Sequence, residues 1–329
     1  MNFHLQFPIP SFREKISYSD KMLFIGSCFA ESIGERMKQH KFSLNINPHG
    51  ILYNPASIAM AIRRYVRNGK LNEKELFFAN EKWNSWEHHS RFSHPDKNIC
   101  LENINKYISD AHSQLTAAEW LFITFGSAFV YSLTDGKTIV GNCHKLPQKK
   151  FEKQLLEPKM IVDDFKQLFT DLKELNPSLD IVLTVSPVKY IRDGVIENTI
   201  SKSVLIQAVH ELVRTQDNVI YFPAYELVTD DLRDYRFYEA DLVHPNEQAI
   251  SYVFEKFGTT AFDASTLTVF EKIKEIRTAA LHKPFNQDSD SNKKFAAVYL
   301  KRCTDLLQGY PMIDLEPEIH HFRALSGSI

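Results

Sequence analysis

The sequence predicts an α/β protein: a three-layer α/β/α sandwich around a parallel sheet of about five strands, followed by a C-terminal helical appendage. Three observations lead there. Short apolar runs recur along the chain, namely MLFIG (22–26), KFSLNI (41–46), WLFITFG (120–126), DIVLTVSP (180–187) and NVIYFP (218–223). Longer stretches with helical spacing separate them, and strands that alternate with helices pair in parallel through crossovers. Beyond about Thr260 only helical patterns remain.

Each element has its own signal. After the first run, Phe29, Ile33 and Met37 fall at i, i+4 and i+8 and line one helical face. Further helices are predicted at about 55–67, 101–118, 159–175, 196–215 and 246–258. Residues 68–100, which include WNSWEHHSRFSHPDKN, break the alternation and read as an insertion over the sheet's functional edge. The tail predicts helices at 266–283 and 292–308, joined by the polar and mobile HKPFNQDSDSNKK. The expected division is therefore a domain over 1–260 and a helical extension over 261–329.

Composition narrows the function classes. With 329 residues, 43% of them hydrophobic and 24 of them Phe, the chain can bury a large core. A formal charge of −2 gives no electrostatic footprint for nucleic acid or an anionic membrane. The opening MNFHLQFPIPSFREK lacks the basic and apolar regions of a secretory signal, and no run approaches the ~18 residues of a spanning helix. A soluble, cytoplasmic protein without a membrane partner is expected. The four cysteines, Cys28, Cys100, Cys143 and Cys303, contain no C-x-x-C pair, so neither a disulfide framework nor a zinc knuckle is predicted.

Two stretches carry residues suited to hydrolysis, one after the first strand and one at the start of the last core helix. Gly26 permits a tight turn, and Ser27 then stands at a helix N-terminus, where unpaired N–H groups and the helix dipole favour developing negative charge. Serine is also an ordinary helix cap, although the Glu or Gln of a capping box is replaced by Ala30. The stretch is not the G-x-S-x-G elbow, since positions 25 and 29 are Ile and Phe. In DLVHPNEQA (241–249), Asp241 and His244 share one short loop, so the carboxylate can orient the imidazole and leave Nε2 as base. Pro245 restricts the backbone of His244. Nucleophile, base and orienter thus come from opposite ends of one domain.

This combination resembles the SGNH, or GDSL-like, hydrolase superfamily, and GSCFA (26–30) looks like the signature of the GSCFA domain family. The resemblance covers roughly 20–258 and includes NPHGILYNP (47–55), FITFGSAFVY (122–131), GNCHKLP (141–147), LTVSPV (183–188) and DYRFYEADLVHPN (234–246). It implies an SGNH-hydrolase or flavodoxin-like fold in which Ser27 attacks an ester carbonyl, His244 accepts its proton and Asp241 orients His244. It also implies an oxyanion hole built from the N–H of Ser27, a Gly and an Asn. Gly50 matches the Gly. Gly126 stands where the third block should be, but no G-x-N follows, and Asn142 is the candidate substitute from a neighbouring loop.

His89 and Arg91 of HSRF, with His144 of GNCHK, are candidate contacts to a polar or anionic substrate group. Trp83 and Trp86 suit either sugar stacking or packing. A thiol nucleophile at Cys28 and a metal bound by His88, His89, His94 and Asp96 are disfavoured, the latter because the spacing matches no ligand pattern. The expected activity is hydrolysis of O-acyl esters, carbohydrate acetates among them, without metal or cofactor. Acyl transfer by the same acyl-enzyme and a binding protein without turnover are the alternatives.

Overall fold

The computed structural model describes residues 5–136, 138–283 and 289–327. Five strands make the central sheet: β1 (Lys21–Gly26), β2 (Ser43–Ile46), β3 (Trp120–Phe125), β4 (Asp180–Val185) and β5 (Val219–Tyr221). Their order is β5-β4-β3-β1-β2. The pairs β1–β3, β3–β4 and β4–β5 are parallel, with Gly26 opposite Thr124 and Thr124 opposite Thr184. All of β3 is buried, as are β1 and β4 after their first residues. Such unbroken apolar runs are what a sheet covered on both faces requires.

The crossover helices are α1 (Cys28–Gln39), α2 (Pro55–Val66), α3 (Lys97–Ala117), α4 (Pro158–Leu175) and α5 (Val195–Thr215), and α6 (Glu247–Ala261) follows the last strand. Their starts follow local chemistry. Asn54 accepts from Ser57 N–H and Pro55 occupies the first helical position of α2. Helix α3 begins earlier than the apolar periodicity indicates, because Asp96 caps it by accepting from Asn98 and Ile99 N–H. One face of α2, α4 and α5 packs on the sheet through Ile58, Ile62, Phe165, Leu168, Leu205 and Val209.

The insertion is an antiparallel hairpin, Leu76–Ala79 with Lys82–Ser85, completed by the start of α3. A second antiparallel element, Phe129–Leu133 between Ile139–Val140 and Phe151–Leu155, was not expected from the sequence. Its strands are short and only half-buried, so their apolar content is too low to stand out.

The chain divides into two compact units. The first comprises Met1–Pro10, Lys21–Glu35 and Leu44–Lys256; the second comprises Ser11–Asp20, Arg36–Ser43 and Phe257–Ile329. The second thus takes in two early segments beside the expected tail. It contains α7 (Ala264–Leu281), α8 (Asp290–Gly309) and α9 (Glu316–Ser326), the last unforeseen. Part of the polar link expected over 282–294 lies outside the described residues. Within this unit the ring of Tyr18 stacks on Phe42 at 4.2 Å, Phe42 on Phe262 at 5.1 Å, and Lys41 pairs with Glu318 at 2.9 Å. Among the described residues no helix is long and apolar enough to cross a membrane.

At position 26 two strands of the sheet approach too closely for a side chain. Gly26 has φ +140°, and a Cβ there would overlap the carbonyl of Thr124 on the neighbouring strand. Neither side can yield, because both are backbone. Gly26→Ala is expected to cost about 3 kcal/mol of folding stability, measured by urea unfolding. A loss below about 0.5 kcal/mol would show that β1 and β3 can separate.

Candidate active site

Ser27 follows directly on that contact. Its N–H donates to Thr124 O at 3.2 Å, its carbonyl accepts from Ala30 N–H at 2.9 Å, and its Oγ accepts from Phe29 N–H at 3.3 Å. It is therefore the cap of α1, and only 1% exposed. The site lies where the strand order reverses between β1 and β3, the crevice in which open α/β sheets bind ligands. A Cβ on Gly126, at the end of β3, would stand 3.3 Å from Ser27 Cβ and 3.2 Å from the Tyr53 ring.

The other half sits on the loop before α6. Asp241 Oδ2 and His244 Nδ1 are 2.7 Å apart, while Asp241 Oδ1 accepts from the N–H groups of Val243 at 2.9 Å and His244 at 3.0 Å. These bonds, the one from His244 N–H first, push the Asp241 carboxyl down to about 2. It is thus a fixed anion at neutral pH, and it leaves His244 Nε2 without a protein partner among the described residues. Both side chains are 49% exposed. Leu242 between them has φ +60°, a conformation costly for a branched side chain and concentrated at functional loops. Among the described residues no hydrogen bond joins Ser27 to His244.

Of the residues expected around an oxyanion, Ser27, Gly50 and Gly126 each donate their amides elsewhere in this structure. Ser27 N–H goes to Thr124 O, Gly50 N–H to Asn47 O at 2.7 Å, and Gly126 N–H to Tyr53 O at 2.8 Å. Asn142 Oδ1 accepts from His144 N–H at 2.8 Å, which leaves its Nδ2 unengaged among the described residues. The insertion does reach this edge. Gly50, with φ +83°, packs against His89 Cβ, and Arg91 donates to Asn47 O and faces Glu31 of α1 at 3.8 Å. His144 is buried, with Nε2 donating to Ser85 O at 2.8 Å, so it holds the hairpin. Trp86 stacks on Phe77 at 3.6 Å, and Trp83 lies edge-on to Phe78 at 5.3 Å. Protein rings therefore occupy both indoles.

Burial pushes the Cys28 thiol up, away from thiolate chemistry, and all four cysteines are free. Among the described residues the one group of metal-ligand type is His49, Glu87 and His88. Its ligand atoms lie within 4.8 Å of one another, but the carboxylate is already engaged. Arg64 takes both Glu87 oxygens at 2.6 and 2.5 Å, bringing a fixed cation into the cluster. The imidazoles of His49 and His88 stack at 3.9 Å and 17°, with Nδ1 of each taken by Tyr65 and Ser85 hydroxyls. Burial holds His49 at about 3 and His88 well below the usual range, so both are neutral.

One residue near the site escaped the sequence reading. Lys202 of α5 is 1% exposed, and its Nζ donates to Gly126 O and to Ser186 O, both at 2.6 Å. The signal was present: Asn198, Ser201, Lys202, Leu205, Ala208, Val209 and Leu212 form one i, i+3, i+4 stripe, and a lysine within a core-facing stripe must find acceptors.

The GSCFA family profile matches residues 21–257, and that of the GSCFA domain protein C-terminal domain matches 273–325. The chain belongs to the GSCFA family. As a GSCFA protein it carries its matched motif, GSCFA itself, on the turn from β1 into α1. No curated protein matches it. Among solved structures, a Clostridium thermocellum family 3 carbohydrate esterase is returned at 10% identity, covering 77% of this chain and 97% of that one, with a TM-score of 0.31.

Burial pushes the Lys202 ammonium down from 10.5 to about 7. Between pH 7 and about 10 the unfolded chain then holds a proton that the folded chain has released. Stability rises with pH across that window by up to about 1.4 kcal/mol per pH unit, and the dependence vanishes below it, where both states are protonated. Urea unfolding from pH 6 to 9 is expected to show wild type gaining on Lys202→Met. Parallel curves for the two would rule out a neutral amine at this position.

Proposed function

We propose that this GSCFA protein is an SGNH-type serine hydrolase that cleaves O-acyl esters through Ser27, His244 and Asp241, with carbohydrate deacetylation as one form. Ser27 Oγ attacks the ester carbonyl while its proton passes to His244 Nε2, which then protonates the departing alkoxide. Water, or another hydroxyl in an acyltransferase, attacks the acyl-Ser27 ester and returns the enzyme. No cofactor takes part. The observation that carries this reading is the 2.7 Å Asp241–His244 Nδ1 contact, which fixes the tautomer and leaves Nε2 to act as base.

The position of Ser27 supports the same chemistry. The first turn of α1 and its dipole favour negative charge on Oγ, and Asn142 Nδ2 is a side-chain donor on a loop at the same edge. Arg91 and His89 would meet a polar or anionic part of the substrate, so a small-molecule or carbohydrate ester is the proposed partner class. A second reading, a binding protein that keeps the fold without turnover, draws on Ser27's 1% exposure and on its lack of a bond to His244.

A fluorophosphonate probe separates the two. The expected result is a single adduct on Ser27, absent in Ser27→Ala and His244→Ala. On a p-nitrophenyl ester, Ser27→Ala should lower kcat by ~10⁶-fold and Asp241→Asn by ~10⁴-fold, with folding unchanged. Unlabelled, folded wild type would overturn the serine-hydrolase reading and favour the binding protein. Comparing graded acyl chains with acetylated sugars then reads the size of the acyl pocket.

A further inference from the structure

Helix α5 is apolar where it meets the sheet, through Leu205, Ala208, Val209 and Leu212, but its second turn is not. On the same stripe stand Asn198, Ser201 and Lys202, all buried. Polar groups in such a place cost free energy unless bonded, and all three bond to loop backbone just beyond β3 and β4. Asn198 Oδ1 accepts from Tyr190 N–H at 2.8 Å, and Ser201 Oγ accepts from Ala128 N–H at 2.8 Å. Lys202 alone reaches both loops, through Gly126 O and Ser186 O.

From each of those carbonyls a short path leads to one half of the proposed triad. Gly126 abuts Ser27 Cβ. Ser186 opens the segment that ends at Lys189, whose N–H donates to Val243 O at 3.2 Å, one residue before His244. The Lys189 ammonium also lies over the rings of Tyr235 and Tyr238, at 4.2 and 4.0 Å, and Tyr238 bridges to Pro245 on the far side of the same loop. The exposed loop carrying His244 is thus tied to the sheet through the segment that Lys202 holds.

We propose that Lys202 is a positioning residue that fixes the nucleophile relative to its base, by holding the carbonyls of Gly126 and Ser186 on one buried side-chain nitrogen. The proposal rests on the triad reading above. Lysine suits the task because its nitrogen offers at least two donors on a stem long enough to cross the apolar layer. An apolar residue of equal length would fill the same space and leave two buried carbonyls unbonded, free to drift apart.

The test uses the full chain with Lys202→Met and, should that variant fail to fold, Lys202→Arg, which keeps the donors but displaces them. In a variant that unfolds cooperatively, kcat on an activated acyl ester should fall at least tenfold with KM within threefold, and fluorophosphonate labelling of Ser27 should slow by a similar factor. Unchanged kcat and labelling, or a raised KM at unchanged kcat, would overturn the clamp. A second readout needs no activity. Amide hydrogen exchange over 186–190 and 241–246 should quicken at least tenfold in the variant, with α4 unaffected. Unlabelled wild type alongside such quickening defeats the hydrolase reading and leaves only the tie between the two loops, whereas unchanged exchange defeats the clamp even where wild type is labelled.

Discussion

Parallel pairing of β1 with β3 brings the backbone of Gly26 so close to Thr124 that no side chain fits between them, and the geometry of the site descends from that approach. With Gly26 fixed, its N–H meets Asn47 Oδ1 at 2.8 Å, its carbonyl accepts from Leu52 N–H at 3.0 Å, and the next amide returns to Thr124 O. Backbone on both sides therefore holds the turn into α1. Ser27 cannot slide along the strand, and its Oγ is held where the strand order reverses. Loops after β2 and β3, through Asn47 and Gly126, then pack around a point that is already set.

That arrangement explains why much of the fold is legible in the sequence. Strands buried on both faces must be apolar without interruption, so MLFIG, WLFITF and DIVLTV identify themselves. The long helices carry their sheet-facing stripes at a fixed period. Asp241 and His244 are legible for a local reason, since three residues on one loop bring their side chains together whatever the rest of the chain does. The membership of Ser11–Asp20 and Arg36–Ser43 in the second unit is not legible. It depends on rings such as Tyr18 and Phe42 meeting partners more than two hundred residues away. The half-buried strands at Phe129–Leu133 and Phe151–Leu155 fail for the opposite reason, their alternation being too short to rise above that of a loop.

The candidate site divides along the same line. Residue types and spacing point to nucleophile, base and orienter, whereas hydrogen-bond commitments belong to the folded backbone. A glycine at a strand end signals that an N–H is sterically accessible, yet Gly50 and Gly126 spend theirs on Asn47 O and Tyr53 O. Lys202 shows how a misleading average hides a strong signal: α5 as a whole is apolar and amphipathic only weakly, because its core-facing stripe changes character after two turns. Taken position by position, a charged residue inside that stripe is the more informative fact, since the core admits it only against waiting acceptors.

Cap and nucleophile are compatible roles for Ser27. The Phe29 N–H donates to Oγ, so the oxygen serves as acceptor and its own proton remains available for transfer. A donor already aimed at Oγ, with the α1 dipole behind it, stabilises negative charge growing there as the proton leaves. Capping thus prepares the oxygen, and what it does not supply is access. The hydroxyl is buried while His244 is half exposed, so the proposed mechanism requires the base loop and the oxygen to come together. On that proposal, whatever fixes the carbonyls of Gly126 and Ser186 bears on the meeting, although the buried polar turn of α5 touches neither of the two groups.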